Sequence, residues 1–238
     1  MNSSINKLPA ALTVIVPAYN AGNLLAGVIA DMEPYLHRVW LVDDGSTDGC
    51  ADGLESKITR VVTLDTNRGK GCALLKGYAK AIEDTNVQCV AVLDADGQHD
   101  VRDLPRLYEV FLENEADYLI GARDFSMGYV PFRSRVGNNV TRIVSRFVLG
   151  TTLKDTQSGF RLVSRKYLDA ILGTIVGGRY ETEMEMLAMA VHGDFTVVSE
   201  PIRTIYEEGN TSSHFHVLRD SFLIYRTLTR IWIKNLMS

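Results

Sequence analysis

Two carboxylates one residue apart, Asp94 and Asp96, close the apolar run Val90-Ala91-Val92-Leu93. Four consecutive apolar residues flanked by polar ones predict a buried strand. The side-chain period of two along an extended chain puts both aspartates on the same side where it ends. Two like charges so placed repel unless a cation lies between them. A hard divalent ion with oxygen ligands, magnesium or manganese, suits that geometry, and such ions are commonly held by one or two carboxylates together with substrate phosphates. Read alone, such a pair is more often a solvated turn, because acidic residues are common turn formers. The other polar clusters of the chain decide between the two readings.

Three further clusters follow apolar runs in the same way. Leu12-Thr13-Val14-Ile15-Val16 reads as a strand stopped by Pro17, which cannot donate to a ladder, and Ala18-Tyr19-Asn20 begins the loop after it. Leu24, Leu25, Val28 and Ile29 then recur at helical spacing between Asn23 and Met32. Val39 to Val42 is the second strand, followed by Asp43-Asp44-Gly45-Ser46-Thr47-Asp48-Gly49, a turn expected to enter a helix with Ser46 or Thr47 as N-cap. Arg60 to Leu64 is the third strand; Asn67-Arg68-Gly69-Lys70-Gly71 leads from it into a helix from Cys72 to Glu83. This alternation indicates an α/β, doubly wound, mostly parallel sheet flanked by helices, in which ligands sit outside the carboxyl ends of the strands. The clusters at 18–20, 43–48, 67–71 and 94–99 are therefore expected to converge on one crevice.

Farther along, Arg102 to Asn114 reads as a helix and Asp117 to Gly121 as a fifth strand, followed by Arg123. No acidic residue occurs between Asp124 and Asp155, whereas Arg133, Arg135, Arg142, Arg146 and Lys154 do, and Val136, Val140, Ile143, Val144, Phe147 and Val148 repeat at helical spacing. A basic amphipathic helix suits anionic lipid headgroups and equally an ordinary core-packed helix with a solvated face. Asp155-Thr156-Gln157-Ser158-Gly159-Phe160-Arg161-Leu162 enters another strand. Tyr180 to Val191 is a helix with acidic residues in its first turn, and Phe195–Val198 and Ile202–Tyr206 are two short strands parted by Pro201. His214 to Ser238 is a long amphipathic helix with Arg219, Arg226, Arg230 and Lys234 near one face. We expect a catalytic domain over 1–210 and a helical extension over 211–238 that meets a membrane surface or a second subunit.

Composition narrows the class. With 238 residues, 46% hydrophobic and 23% charged, the chain can bury a core, and its net charge of −4 gives no reason to expect a nucleic-acid partner. Cys50, Cys72 and Cys89 form an odd set without a Cys-x-x-Cys pair, as in reduced cytosolic proteins. Neither a signal-peptide core nor a run of about 18 apolar residues is present, so a cytoplasmic location is expected, with peripheral attachment to the membrane left open.

The motifs Val14-Ile15-Val16-Pro17-Ala18-Tyr19-Asn20, Val42-Asp43-Asp44-Gly45-Ser46-Thr47-Asp48, Asn67-Arg68-Gly69-Lys70-Gly71 and Asp94-Ala95-Asp96-Gly97-Gln98-His99 resemble, in order and spacing, the family 2 glycosyltransferases of the GT-A fold. Gly121-Ala122-Arg123 and Asp155-x-x-Ser158-Gly159-Phe160-Arg161 resemble the branch of dolichyl-phosphate and polyprenyl-phosphate sugar synthases. The resemblance spans Leu12 to Tyr206 and implies inverting transfer of a sugar from a UDP- or GDP-sugar to a polyprenyl phosphate with Mg²⁺ or Mn²⁺. It places Pro17, Ala18, Tyr19, Asp43 and Asp44 around the nucleoside, Lys70 and its glycines near the nucleotide, and Asp96 on the metal. Asp94, Ala95 and Gln98 fall beside the diphosphate, Asp94 also beside the metal, and Arg123, Arg133 and Arg135 on the acceptor phosphate. The chain departs from the family in having Ala21 where Glu is common, and Glu207-Glu208-Gly209-Asn210-Thr211-Ser212-Ser213-His214 in place of an Arg…Gly-Ser-Lys motif.

Three other classes compete. A hydroxyl acceptor would need a general base, for which Asp155, Glu181 and Glu183 are candidates. A catalytically silent subunit would keep the pocket and transfer nothing. A dinucleotide oxidoreductase would need Gly-x-Gly-x-x-Gly after the first strand, which Pro17 to Gly22 lacks. A homo-oligomer fits any of these.

Overall fold

The structure, a computed structural model, describes residues 9–58, 60–123, 150, 153, 155–205 and 217–237. Seven strands among them form one sheet in the order β3-β2-β1-β4-β6-β5-β7: β1 Leu12–Ala18, β2 Val39–Asp43, β3 Val61–Thr63, β4 Cys89–Val92, β5 Tyr118–Arg123, β6 Arg161–Ser164 and β7 Val197–Ile202. β1 lies parallel to β2 and β4, β2 to β3, and β5 to β7; β6 runs antiparallel to both of its neighbours. The sheet is thus mostly parallel, as expected, with one reversed strand that the alternation of elements does not reveal.

Apolar side chains cover both faces of the sheet, which explains why its strands read as unbroken hydrophobic runs. Leu12, Val14 and Val16 of β1 pack with Leu25, Val28 and Ile29 of α1 (Gly22–Asp31) and Leu104, Leu107 and Phe111 of α3 (Leu104–Glu113). Ile15 points the other way, as the two-residue period requires. It joins Leu74 and Tyr78 of α2 (Lys70–Ala81), Tyr167 and Leu168 of α4 (Arg165–Ile171), Met184 and Leu187 of α5 (Glu181–His192), and Ile224 and Leu228 of α6 (Val217–Met237). The long carboxyl-terminal helix therefore docks through an apolar stripe, and Asp220 on it is fully buried against Arg179 at 3.3 Å.

Four sequence expectations need correction. β1 continues through Pro17, which pairs in register with Val42. Leu93 N donates to Ile15 O, so Ile15 and, two residues on, Pro17 face the β4 side, where the ladder has already ended at Val92 and no donor is needed. The turn after β2 leads into no α-helix; a short 3₁₀ turn, Leu54–Ser56, follows, and Ser46 and Thr47 bond across to the loop after β1 instead of capping. The two strands around Pro201 are one, because β7 lies at the sheet edge, where a missing N–H costs no ladder bond. Helix α4 was not anticipated, although Ser164 caps it by accepting from Tyr167 N at 3.0 Å. The basic amphipathic segment at 136–148 lies outside the described residues.

Candidate active site

The carboxyl ends of β1, β2, β3 and β4 carry the four polar clusters, and hydrogen bonds sew three of them together. Asn20 N donates to Ser46 Oγ at 2.9 Å and Thr47 N to Asn20 Oδ1 at 2.7 Å, with Asn20 itself at φ +46°. Asp43 Oδ1 accepts from Ser46 N at 2.9 Å. Asp44 ties in the third loop: it accepts from Arg68 N and Gly69 N at 2.8 Å each and from Asn67 Nδ2 at 3.0 Å. Burial pushes the Asp44 carboxyl up, and the Arg68 and Gly69 amides oppose that shift. Tyr19 is partly exposed, whereas Pro17, Ala18 and Ala95 are buried, the two alanines in the apolar core.

The third loop delivers Lys70 to the fourth. At the first position of α2, Lys70 Nζ lies 2.7 Å from Asp94 Oδ1 and 3.1 Å from Glu183 Oε2. Burial lowers its pKa, but the Asp94 and Glu183 carboxylates outweigh that and hold the ammonium charged, well above the usual lysine range. Asp94 is affected reciprocally. Burial would raise it, but Lys70 and His99 together override that and keep it ionised far below the usual carboxylate range. Asp96 differs from its neighbour. Its Oδ1 accepts from Gln98 N at 3.0 Å, it makes no ion pair among the described residues, and burial and the Asp94 charge push its pKa up. The Gln98 carbonyl accepts from Ile205 N at 3.0 Å, which fixes the turn. His99 Nε2 stands 3.6 Å from Asp94 Oδ2, with its ring tilted on Phe160.

The strand β6 brings a second support to the same place. A Cβ at Gly159 would overlap the Asp94 carboxylate, so only glycine lets this loop pass so close. Arg161 is buried and donates to Ser158 O at 2.9 Å and to Thr156 O and Glu183 O at 3.3 Å each, while its Nη1 also lies 3.3 Å from Glu183 Oε1. Beside this loop, at the end of β5, Arg123 grips the fully buried Asp155 in bidentate fashion, Nε to Oδ2 at 2.7 Å and Nη2 to Oδ1 at 3.2 Å. Arg133 and Arg135 lie outside the described residues.

The sequence profile of the family "Glycosyl transferase family 2" matches residues 13–172. The chain belongs to that family. It is 27% identical over 236 residues to UDP-N-acetylglucosamine–dolichyl-phosphate N-acetylglucosaminyltransferase of Methanococcus voltae, covering 90% of this chain and 94% of that one. It is 31% identical over 202 residues to polyprenol monophosphomannose synthase of Mycolicibacterium smegmatis, covering 79% and 75%. Among solved structures, glucosyl-3-phosphoglycerate synthase of Mycobacterium tuberculosis, in complex with Mn²⁺, UDP and phosphoglyceric acid, superposes with a TM-score of 0.69 at 20% identity, covering 94% of this chain and 78% of that one. The fold is GT-A, and the protein is a glycosyltransferase of the polyprenyl-phosphate sugar synthase-like branch.

For this glycosyltransferase, two of the three candidate general bases are already engaged: Asp155 with Arg123, and Glu183 with Lys70 and Arg161. Glu183 is the residue whose position the sequence hid. Its place in the first turn of α5 suggested interaction with the helix dipole, whereas it is 5% exposed and bridges two cations. Nothing local in the sequence signals it; in the structure a Cβ at Gly71 would overlap the Thr182 side chain, so α2 and α5 meet there with no room to spare.

The Asp155 carboxyl gives a test of the Arg123 clamp. Burial raises its pKa, but the Arg123 charge and the hydrogen bonds from Arg123 and the Gln157 amide together outweigh burial and hold it below the usual range. A carboxyl depressed on folding stabilises fully above its unfolded pKa of about 4, and that contribution is lost as pH falls through the lower folded value. Asp155→Asn should therefore cost roughly 3–5 kcal/mol at pH 7, as for a broken buried pair, and much less at pH 2. Urea unfolding at both pH values measures this, and an equal cost at the two would contradict it.

Proposed function

We propose that this glycosyltransferase moves a sugar, with inversion, from a UDP- or GDP-sugar to a polyprenyl phosphate at a membrane surface, in the presence of Mg²⁺ or Mn²⁺. The observation that carries the reading is the asymmetry of the two aspartates. Lys70 pairs with Asp94, while Asp96, partly buried beside it, makes no ion pair among the described residues, and burial and the Asp94 charge push its carboxyl up. A divalent cation at Asp96 would relieve both penalties on that carboxylate. Such an ion would take further ligands from diphosphate oxygens and water, the usual habit of magnesium. When bound, it supplies neutralisation of the charge that develops on the leaving nucleoside diphosphate.

The protein's own groups would do the rest. Asp44 and the loop it holds shape the nucleoside end, and Lys70 and Asp94 stiffen the diphosphate end. The acceptor phosphate oxygen forms its bond to the anomeric carbon from the side opposite the departing diphosphate, whose bond to that carbon breaks. A phosphate with a second pKa of about 6 arrives anionic and needs no proton removed. That agrees with Asp155 and Glu183 being tied up in ion pairs. Arg123, with Arg133 and Arg135, would hold the acceptor phosphate through guanidinium donors. The relatives named for dolichyl-phosphate and polyprenol acceptors support this choice. A hydroxyl acceptor is the second reading, favoured by Glu181, whose buried Oε2 has no hydrogen-bond partner and which could serve as base.

Assays with a panel of nucleotide sugars and either ion, with and without undecaprenyl phosphate, test the reading. Transfer is expected only with the lipid phosphate, and Asp96→Asn should lower it on the order of 100-fold or more. Undiminished turnover by that variant would remove the metal role. Turnover on a free glycan hydroxyl that Glu181→Gln abolishes would establish the second reading, and binding without any transfer a silent subunit.

No helix among the described residues is long and apolar enough to cross a membrane. The outward face of α6 nevertheless suits a lipid surface. Arg219, Arg226 and Arg230 are exposed there together with Phe222 and Ile233, at 64% and 48%, while Ile224 and Leu228 point into the core. Charges interleaved with single protruding apolar groups fit headgroups better than a protein interface, whose centre is depleted of charge. Vesicles containing phosphatidylglycerol should therefore carry the wild type on flotation. Replacement of Arg219, Arg226 and Arg230 by Glu should abolish flotation, and equal flotation of both would exclude this face.

A further inference from the structure

Glu183 takes no part in the reaction drawn above, yet it is the central member of a row of four charges, Asp94, Lys70, Glu183 and Arg161, linked at 2.7, 3.1 and 3.3 Å. We infer that Glu183 is a positioning residue that balances Lys70 and Arg161 and thereby sets how tightly the site beside Asp96 holds a divalent cation. The inference rests on the assignment of that cation to Asp96.

The row contains two cations and two carboxylates, and its net charge is zero. Arg161 does not depend on the Glu183 carboxylate to stay in place. Three backbone carbonyls, of Thr156, Ser158 and Glu183, accept from its guanidinium, and it lies 5.9 Å from the Tyr118 ring centre. Lys70 is likewise tied to Asp94 and begins α2, whose backbone is packed on α5 at Gly71. Removal of the Glu183 charge therefore leaves two fixed cations facing one carboxylate. The excess positive charge is felt at Asp96, because Lys70 already acts electrostatically on that carboxyl. A cation is then repelled from the site. The opposite change, removal of the Lys70 charge, strips Asp94 of its partner and presents two carboxylates to the ion. Glu183 would thus control the site through charge, without touching sugar, nucleotide or metal.

Direct Mn²⁺ binding tests this without turnover, by electron paramagnetic resonance of free Mn²⁺ in the presence of saturating UDP. Glu183→Gln should weaken Mn²⁺ binding on the order of tenfold, the effect of one unit charge several Å away under protein-like screening. Lys70→Met should tighten it, and the double variant should return to within about threefold of the wild type. Glu183→Asp, which keeps the charge, should bind Mn²⁺ more tightly than Glu183→Gln. A purely structural role for Glu183 would instead leave the Mn²⁺ constant unmoved, or make the double variant worse than either single change. Either result, in variants with wild-type circular dichroism, overturns the inference. Should Glu183→Gln fail to fold, Lys70→Met carries the test alone, and weaker or unchanged Mn²⁺ binding there overturns it. If the wild type binds no Mn²⁺ with either UDP or GDP, the function proposed above falls and this inference with it. If the wild type binds and the variants match it, only this inference falls.

Discussion

A carboxylate at the carboxyl end of a buried strand, next to a second carboxylate, must be neutralised, or one of the two takes up a proton. In this protein Lys70 meets that requirement for Asp94 alone, at 2.7 Å, and the rest of the site is built around that choice. Lys70 reaches Asp94 because Asp44 holds the loop before it, accepting two backbone N–H groups and the Asn67 amide. Asp94 keeps its place because Gly159 leaves room for it, and Lys70 stays charged because Glu183 stands on its other side. What remains unneutralised is Asp96, and the chemistry is assigned to the place where the structure leaves a charge to be satisfied.

The reversed strand β6 is what makes the arrangement compact. Set between β4 and β5, it runs antiparallel to both, so the loop preceding it arrives at the same sheet edge as the ends of its neighbours. That places Asp155, Gly159 and Arg161 beside Arg123 and Asp94. A sheet with only parallel strands would have put the start of this strand at the opposite edge. The same loop thus reaches both Asp94, through Gly159, and Arg123, through Asp155. The carboxyl-terminal helix is joined to this region through Asp220 and Arg179, in the segment whose Gly178 carbonyl accepts from Cys72 N on α2.

Much of this was legible in the chain, for a definable reason. Apolar runs ending in polar clusters gave the strands β1 to β5 and the polar loops at their ends, because a sheet buried on both faces demands continuous hydrophobic sequence. Asp44, Asp94 and Asp96 stand in the loops just beyond β2 and β4, and Lys70 opens α2 after the loop that follows β3. What failed was whatever depends on partners distant in sequence. Pro17 looked like a stop because its neighbour on that side ends early, which only the sheet order reveals. Pro201 looked like a break because the edge position of β7 is not written locally. The direction of β6, the pairing of Asp155 with Arg123 and the bridge from Glu183 to Lys70 are long-range facts that periodicity and propensity do not encode.

The account stands on the Asp94 carboxylate being fixed beside Asp96 so that a cation and a diphosphate can be held together. Calorimetric titration of UDP into Gly159→Ala, with and without Mn²⁺, examines this most directly, because the added methyl group must displace that carboxylate while leaving every charge in place. The predicted result is a folded protein whose Mn²⁺-dependent gain in UDP affinity, present in the wild type, is lost. A variant that binds UDP with the wild-type Mn²⁺ dependence would contradict the account.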